Sequence, residues 1–309
     1  MPANPAAQHD DISPGSLRAW AVAVRPKTLW IAAIPVGVAT SLAWMHGAPI
    51  HAWVAALAFV ASILMQVITN LQNDVGYTAR GAETGTRVGL PRATSTGLLT
   101  AREVRLAIVL AVAATLLIGL PLVARWGLPV LLMGLASIVA ALGYMGGPRP
   151  IAYTPLGELM VFIFFGLIAV AGSGYIQLGT VTPALATAGA TIGALAAAVL
   201  VVNNHRDIAH DGSTGRQTFG VTFGARASAG LYAVLMLAPF AAVPLLVWQT
   251  DSQLLWLPML ALPGAISLVR VLPKTPPGLA FNGLLMRTVM LQLIFGAMLT
   301  IGTLLAAWL

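Results

Sequence analysis

The sequence predicts an all-α membrane protein, with about nine transmembrane helices in one bundle. Of its 309 residues, 58% are hydrophobic and only 8% are charged, whereas charged residues make up roughly a quarter of an ordinary soluble domain. The apolar residues run in stretches of about 20 and lack the alternation of polar and apolar positions found in membrane β-strands. Because hydrocarbon leaves no water to pair with backbone amides, such stretches are expected to be helices.

Each predicted span is an apolar stretch bounded by polar residues, glycine or proline. The first span follows the basic residues Arg25 and Lys27, and the last one runs to the final residue. Residues 1–17 are polar and lack the basic start and apolar core of a signal peptide, so we expect a short, poorly ordered cytoplasmic tail before a single membrane domain, 18–309. The predicted spans are 27–46, 52–73, 103–124, 127–146, 156–178, 183–205, 227–249, 253–272 and 284–309.

The distribution of charge predicts how the bundle is oriented. When the spans are paired into hairpins, fifteen of the sixteen Lys and Arg residues fall on the side of the N-terminus, and only Arg125 falls on the other. Basic loops stay in the cytoplasm, which predicts a cytoplasmic N-terminus and, after nine spans, an outer C-terminus. Most acidic residues share the basic side, where two long polar loops near 74–102 and 206–226 are expected to carry the function.

Composition also excludes several classes of function. The formal net charge is +7, but no basic run or interleaving of basic and aromatic residues of the kind found in nucleic-acid-binding proteins occurs, so no nucleic-acid partner is expected. The chain has no cysteine, which excludes disulfides, thiolate catalysis and Cys-ligated zinc. No pair of histidines has the spacing of a zinc site.

The first polar motif closes the second predicted span and opens the loop after it. Asn70, Asn73, Asp74 and Tyr77 recur at i, i+3, i+4 and i+7, which places them on one face of a helix. Glu83 follows in the loop. Polar side chains at the mouth of a membrane helix are costly unless they are paired or face a cavity, which favours a functional role.

A second motif, at the end of the sixth span, repeats this pattern. Asn203, Asp207 and Asp211 form a stripe at i, i+4 and i+8. Superposing the two motifs aligns Asn70 with Asn203 and Asp74 with Asp207, which is a weak internal repeat and indicates that two halves of the chain converge on one site.

Two converging carboxylate stripes are typical of a site for a hard divalent cation. Mg²⁺ is usually held by one or two carboxylates together with phosphate oxygens of a substrate, so a diphosphate is the expected partner. Arginine presents a planar fork of donors that matches phosphate oxygens. A cation and arginines around a diphosphate would neutralise the charge that develops as the diphosphate leaves. The neighbouring arginines suited to this role are Arg80, Arg87, Arg92, Arg206 and Arg216.

Several longer segments, in order along the chain, carry a resemblance to a known family. They are RPKT at 25–28, NLQND at 70–74, RVGLPRATSTGLLT at 87–100, GYMGGPRPIAYTPLGELMVFIFFG at 143–166 and NNHRDIAHDGSTGRQTFGVTFG at 203–224. With these segments the chain resembles the UbiA superfamily of intramembrane aromatic prenyltransferases, and most closely the 1,4-dihydroxy-2-naphthoate polyprenyltransferases of menaquinone synthesis.

The resemblance implies a nine-helix bundle around a lipid-accessible cavity, capped by the polar loops. The charge distribution places those loops, and with them the expected active site, in the cytoplasm. The compact outer loops and the lack of a targeting segment suit a bacterial inner membrane.

The resemblance also implies Mg²⁺-dependent transfer of a polyprenyl group from its diphosphate to the aromatic acid, with loss of carbon dioxide to give demethylmenaquinone. By position, it implies Mg²⁺ ligands at Asp74, Asp207 and Asp211 and supporting polar contacts from Asn70, Asn73 and Asn203. It further implies diphosphate binding by Arg87, Arg92 and Arg216, and a role for Arg25 and Lys27 in receiving the acidic acceptor.

The first motif departs from the family pattern at one position. Relatives usually carry a second carboxylate three residues after the first aspartate, where this chain has Tyr77. Glu83 matches a later acidic position of the naphthoate subgroup and is the candidate for the missing ligand. Tyr77 is instead a candidate hydrogen-bond donor to a diphosphate oxygen.

Three other functions were weighed against this one. The closest alternative is a prenyltransferase for another aromatic acceptor, such as 4-hydroxybenzoate or homogentisate. A secondary transporter also fits many apolar helices and an internal repeat, but transporters place ionisable groups near mid-membrane, and here the acids lie at the cytoplasmic ends of the spans. The third is a relative that binds isoprenoid lipids without catalysis, which Tyr77 leaves open.

Overall fold

The computed structural model describes residues 12–83, 89, 92–276 and 278–309, and those residues form helices and no β-strand. Within this described part, nine helices are long and apolar enough to cross a membrane, which confirms the predicted fold class. Two shorter helices, α1 and α8, complete the set. In chain order the helices are α1 (Leu17–Val24), α2 (Pro26–Met45), α3 (Ala52–Ala79), α4 (Ala101–Trp126), α5 (Leu128–Met145), α6 (Gly157–Leu178), α7 (Pro183–Arg206), α8 (Ile208–Ser213), α9 (Phe219–Thr250), α10 (Gln253–Lys274) and α11 (Ala280–Trp308).

The helices extend beyond several of the predicted spans. Helix α3 continues to Ala79 rather than residue 73, and α9 begins at Phe219 rather than 227. The short helix α1 was not predicted. Hydropathy marks where a segment stops being apolar, whereas backbone hydrogen bonding continues into the polar turn that follows. In α9 the added start is set off by a kink at Gly224, whose φ of 85° is accessible mainly to glycine.

Local signals in the sequence explain where the spanning helices start. Thr100 and Glu103 form a reciprocal capping box at the start of α4, and the Thr182 side chain accepts a hydrogen bond from the Leu185 amide at the start of α7. These contacts satisfy amide groups that have no partner inside the helix. Proline occupies the first turn of α2, α5 and α7, where its missing amide hydrogen costs nothing.

Helix α7 is the centre of the bundle. It packs against α2, α6, α9 and α11, and most of its length is buried. Its alanine-rich and glycine-rich sequence allows these neighbours to approach closely. The largest core cluster joins α7 to buried residues of α9 and α11, including Tyr232, Phe240 and Phe295.

A second core cluster forms around the C-terminal half of α3. It joins Ile68 and Leu71 of α3 to α1, to α4 and to the loop residues Leu98 and Leu99. Helices α4 and α5 expose many leucine and valine side chains, as expected for surfaces in contact with lipid. The functional cavity lies between this half of the bundle and α7.

The contact between α6 and α7 depends on glycine. Residues Phe162–Ile168 of α6 form a π-helical segment, and within it Gly166 lies directly against Gly189 and Gly193 of α7. A Cβ atom on Gly166 would lie closer than 3.0 Å to backbone atoms of both glycines. Backbone atoms cannot rotate away, so the two helices would have to separate.

We therefore expect Gly166→Ala to lower the free energy of unfolding by about 1–3 kcal/mol, the usual cost of overpacking. The control is Gly230→Ala in α9, where an added Cβ would meet nothing within 4 Å. That change should be neutral or slightly stabilising, because alanine favours helix. Apparent melting temperatures in detergent measure both variants, and equal values would contradict the close α6–α7 contact.

Candidate active site

A cavity of about 500 Å³ lies among α2, α3, α4, α5, α6 and α7. One end is polar and is lined by Asn70, Asn73, Asn203 and Arg25. From there the cavity follows α4, α5 and α6 and is lined mainly by apolar side chains. The structure thus brings the asparagines of both predicted motifs to one end of a single apolar cavity, as the internal repeat indicated.

Asn70 fixes the backbone that presents Arg25. Its Nδ2 donates to the Val24 carbonyl at 2.7 Å and to Thr28 Oγ1 at 3.2 Å. Arg25 itself has a left-handed φ of 57° and joins α1 to α2. That conformation is unfavourable for a residue with a side chain and persists where neighbouring contacts impose it. Asn70 therefore positions Arg25 at the polar end of the cavity.

Asp74 is fully buried and holds the loop that follows Arg92. Its Oδ2 accepts from the Ala93 amide at 2.8 Å, and its Oδ1 accepts from the Thr94 amide at 2.9 Å and from Thr94 Oγ1 at 2.7 Å. A carboxylate that accepts three hydrogen bonds from one short segment is a strong anchor. In this arrangement Asp74 ties the first motif to the loop.

Tyr77 lies one helical turn beyond Asn73, buried between two arginines of distant segments. The guanidinium carbon of Arg92 lies 4.3 Å from the centre of the Tyr77 ring, and that of Arg216 lies 4.9 Å from it. Both distances are within the range of a favourable cation–π contact. Arg92 also pairs with Glu83, with Nε to Oε1 at 3.2 Å. Glu83 is thus engaged by an arginine on this side of the site.

The second motif is held by Arg206. Its guanidinium donates to both carboxylate oxygens of Asp207, at 2.8 and 2.6 Å, and to Asn203 Oδ1 at 2.8 Å. A further bond at 2.8 Å reaches Asn282 at the start of α11. Such forked contacts fix the planes of both partners. Arg206 therefore orders the end of α7 and connects Asn203 to Asp207.

Asp211 has one oxygen paired and one without a hydrogen-bond partner. Its Oδ1 accepts from Arg216 at 2.5 Å, and its buried Oδ2 has no such partner. Burial raises the pKa of the Asp211 carboxyl above its ordinary value, and the neighbouring Arg216 opposes that rise. Buried oxygens rarely lack a partner, so Oδ2 is a candidate ligand atom.

The donor set around the second motif fits a divalent cation. Asp211 Oδ2 and Asn73 Oδ1 are buried oxygens without hydrogen-bond partners, and Asp207 lies one turn before Asp211. Within the described part of the chain, no three His, Asp or Glu side chains converge closely enough to hold a metal between them. A cation here would be held by Asp211 Oδ2, by Asp207 once one of its oxygens is released from Arg206, and by substrate oxygens and water, which is the usual manner of Mg²⁺.

The remaining predicted residues have different positions. Lys27 is exposed at the start of α2 and does not line the cavity, unlike Arg25. Arg80 contacts the Gly147 carbonyl and the ring of Tyr153, both in the segment between α5 and α6. Arg87 lies outside the described residues.

Three polar residues that border the site were not predicted to have a role: Glu158, Asn204 and Tyr144. Glu158 is buried at the start of α6, where its Oε1 accepts from Asn204 Nδ2 at 2.9 Å, and its Oε2 has no hydrogen-bond partner. Tyr144 lines the cavity near the C-terminal end of α5. The signal in the sequence was an acid at the mouth of a membrane span, because Glu158 is one of the acidic residues on the basic side.

Comparison with known proteins connects this chain to a family. The sequence pattern of the UbiA prenyltransferase family matches residues 32–276. The 1,4-dihydroxy-2-naphthoate octaprenyltransferase of Escherichia coli strain K12 is 34% identical over 298 residues, which are 94% of this chain and 96% of the relative. The protein of that name from Mycobacterium tuberculosis is 37% identical over 72% of this chain and 75% of its own.

Solved structures show the same fold. A UbiA homologue from Archaeoglobus fulgidus, bound to GPP and Mg²⁺, superposes with a TM-score of 0.64 at 15% identity, covering 93% of this chain and 99% of the homologue. The apo structure of a UbiA homologue from Aeropyrum pernix K1 superposes with a TM-score of 0.67 at 15% identity, covering 89% and 97%. At these identities the likeness concerns the fold of the bundle.

Proposed function

The chain belongs to the UbiA prenyltransferase family, and on that premise we propose that it transfers a polyprenyl group from a polyprenyl diphosphate to 1,4-dihydroxy-2-naphthoate. Three bacterial relatives that match 79–94% of the chain carry the name of this naphthoate activity. The observation that carries the proposal is the single cavity, polar at one end and apolar along the rest, because a prenyl diphosphate has the same division.

The apolar part of the cavity suits an extended prenyl chain. Its lining follows α5 from Val130 to Tyr144, which at 1.5 Å per residue corresponds to a length of about 21 Å. The walls carry leucine, valine, phenylalanine and small residues, so the chain is bound by burial of apolar surface. A tail longer than the cavity would continue into the lipid.

The diphosphate would lie at the polar end, between the two motifs. Asp207 and Asp211 would hold Mg²⁺, which when bound neutralises the charge on the departing diphosphate. Arg92 and Arg216 are buried, with only 3% of each side chain exposed, and forked donors in such surroundings bind phosphate oxygens strongly. Asn73 and Asn203 would orient the first prenyl carbon toward the acceptor.

The acceptor would enter beside Arg25 at the same end. A guanidinium at the cavity wall is suited to the carboxylate of the naphthoate ring, whereas the exposed Lys27 would act in attracting the anion. Transfer then breaks the bond between the prenyl carbon and the diphosphate and forms a bond to the ring carbon. The carboxylate leaves as carbon dioxide and its bonding electrons stay with the ring, which gives the quinol form of demethylmenaquinone.

The chain is a multi-pass membrane protein. We place it in a bacterial inner membrane with its polar cavity end toward the cytoplasm. Support comes from the basic residues gathered at that end and from the bacterial origin of the most similar relatives.

Product analysis tests the proposed function. Membranes that contain the chain are supplied with Mg²⁺, a polyprenyl diphosphate and either 1,4-dihydroxy-2-naphthoate or 4-hydroxybenzoate. We expect prenylated product from the naphthoate and none when EDTA replaces Mg²⁺. Product from 4-hydroxybenzoate alone would contradict the proposed acceptor, and no product from either, by a folded protein, would contradict prenyl transfer to these acids.

A further inference from the structure

We propose that the first motif binds the diphosphate without a cation, through a cluster of Arg92, Tyr77 and Arg216, so that the chain uses one divalent cation, held by the second motif. We call these three residues the arginine–tyrosine cluster. The identity of the ligand rests on the proposed function; the number of cations and the role of Tyr77 are the new inference.

Asp74 is the carboxylate of the first motif. Both of its oxygens accept hydrogen bonds from residues 93 and 94, and the side chain is fully buried. To ligate a cation it would have to give up contacts that hold the loop carrying Arg92. A charged group engaged by several buried donors is expensive to withdraw. Asp74 therefore acts as an anchor.

Tyr77 occupies the position one turn after Asp74 on α3. A carboxylate there could supply oxygens to a cation beside Asp74, but the residue is Tyr77, and a phenol is not among the usual ligands of Mg²⁺. The next acid, Glu83, forms an ion pair with Arg92 at 3.2 Å.

In the second motif Asp207 is likewise paired, with Arg206, but Asp211 keeps one oxygen, Oδ2, without a hydrogen-bond partner. The second motif therefore offers a cation an open carboxylate oxygen, whereas both oxygens of Asp74 are engaged.

Instead of a cation, Tyr77 contacts two arginines. Its ring lies 4.3 Å from the guanidinium carbon of Arg92 and 4.9 Å from that of Arg216, which come from two different loops. A guanidinium over an aromatic face keeps its N–H groups in its own plane. Arg216 already donates from Nε and Nη2 to the Ala152 carbonyl and from Nη1 to Asp211, so a phosphate oxygen can be reached only by its remaining N–H groups. The ring also restricts both side chains before a ligand arrives, which lowers the entropy lost on binding.

Arg216 connects the arginine–tyrosine cluster to the cation site of the second motif. Arg216 contacts both Tyr77 and the Asp211 oxygen Oδ1, whereas Asp211 Oδ2 has no hydrogen-bond partner. Asn73, which lines the cavity, lies on the same face of α3 as Tyr77. Tyr77, Arg92, Arg216 and Asp211 do not themselves line the cavity, so a diphosphate would reach the arginines and the cation from the cavity end at Asn73.

The test counts cations and measures binding without them. The purified chain in nanodiscs is titrated with Mn²⁺ in the presence of saturating inorganic pyrophosphate, and bound Mn²⁺ is counted by electron paramagnetic resonance. We expect one Mn²⁺ per chain. Pyrophosphate binding is then measured by calorimetry in EDTA, where only protein side chains contribute.

Three substitutions of Tyr77 separate its possible roles. Tyr77→Leu removes the ring and should weaken pyrophosphate binding in EDTA by about 3- to 30-fold, the range expected from buried cation–π contacts. Tyr77→Phe keeps the ring and should restore most of that binding. Tyr77→Asp should weaken binding in EDTA and add a second Mn²⁺. The matched control is Tyr175→Leu near the C-terminal end of α6, which packs with Leu122 and Trp126 and not with Arg92 or Arg216.

Each outcome decides the inference. Two Mn²⁺ per unchanged chain would overturn it, and so would equal pyrophosphate affinity of the unchanged and Tyr77→Leu proteins. If Tyr77→Leu does not fold, the Mn²⁺ count and the Tyr77→Phe and Tyr77→Asp comparison still decide. Pyrophosphate binding needs no acceptor, so a chain that forms no prenylated naphthoate but passes these tests contradicts only the proposed function.

Discussion

Asp211→Asn is expected to reduce prenyl transfer by about 100-fold or more, the usual cost of removing a group that stabilises charge in a transition state. Asparagine keeps an oxygen that can accept the hydrogen bond from Arg216, so the fold should persist. The change removes the negative charge and replaces one carboxylate oxygen by an amide nitrogen, which cannot ligate Mg²⁺. Product formed per amount of folded protein is the measurement.

Asp251→Asn is the matched control for this change. Asp251 is exposed at the C-terminal end of α9, where it adopts a left-handed φ of 50° that asparagine also tolerates. The control should keep the rate of the unchanged chain. Near-normal turnover by Asp211→Asn would remove the basis for the cation site of the second motif.

Asp74→Asn is expected to lower the free energy of unfolding by about 2 kcal/mol, and to do so in EDTA. The amide nitrogen of asparagine would face an N–H or O–H donor that now points at a carboxylate oxygen. A buried donor left without an acceptor costs about 1–3 kcal/mol. Unfolding in mixed detergent micelles measures the loss, and proteolysis between residues 81 and 99 should become faster than in the unchanged chain.

The absence of metal is what makes this measurement decisive. If Asp74 were chiefly a cation ligand, Asp74→Asn would match the unchanged chain in EDTA and differ only when Mg²⁺ and pyrophosphate are present. An anchor of the loop loses stability under both conditions. Asp251→Asn again serves as the control, because it makes the same chemical change at an exposed position.

Much of the fold could be predicted because each membrane span is a local property of the chain. The length of each apolar stretch is set by the thickness of the bilayer, and the structure confirms nine such helices among the described residues. The asparagines of both motifs were also predicted to converge, and Asn70, Asn73 and Asn203 line one cavity end. Helical spacing placed Asn70 and Asn73 on one face of α3, and the weak internal repeat indicated that Asn203 would converge with them.

The partners of the charged residues could not be predicted in this way. Asp74 bonds to residues 19 and 20 positions later in the chain, Glu158 to a residue 46 positions away, and Tyr77 meets Arg216 from the other half of the bundle. No periodicity of either segment encodes such a pairing. The predicted role of Asp74 as a ligand was drawn from the carboxylate pattern and the resemblance, and that of Glu83 from the resemblance alone.

The sequence by itself thus determined the membrane class, the spans and the polar end at which the motifs meet, because hydrophobic length and helical periodicity act within one segment. Only the tertiary structure decided what each polar group contacts. It placed Asp74 against the loop that follows Arg92 and Tyr77 against two arginines. It also left one carboxylate oxygen of Asp211 without a hydrogen-bond partner. The physical reason is range: hydrogen bonds and ion pairs act over about 3 Å, and only packing brings distant segments that close.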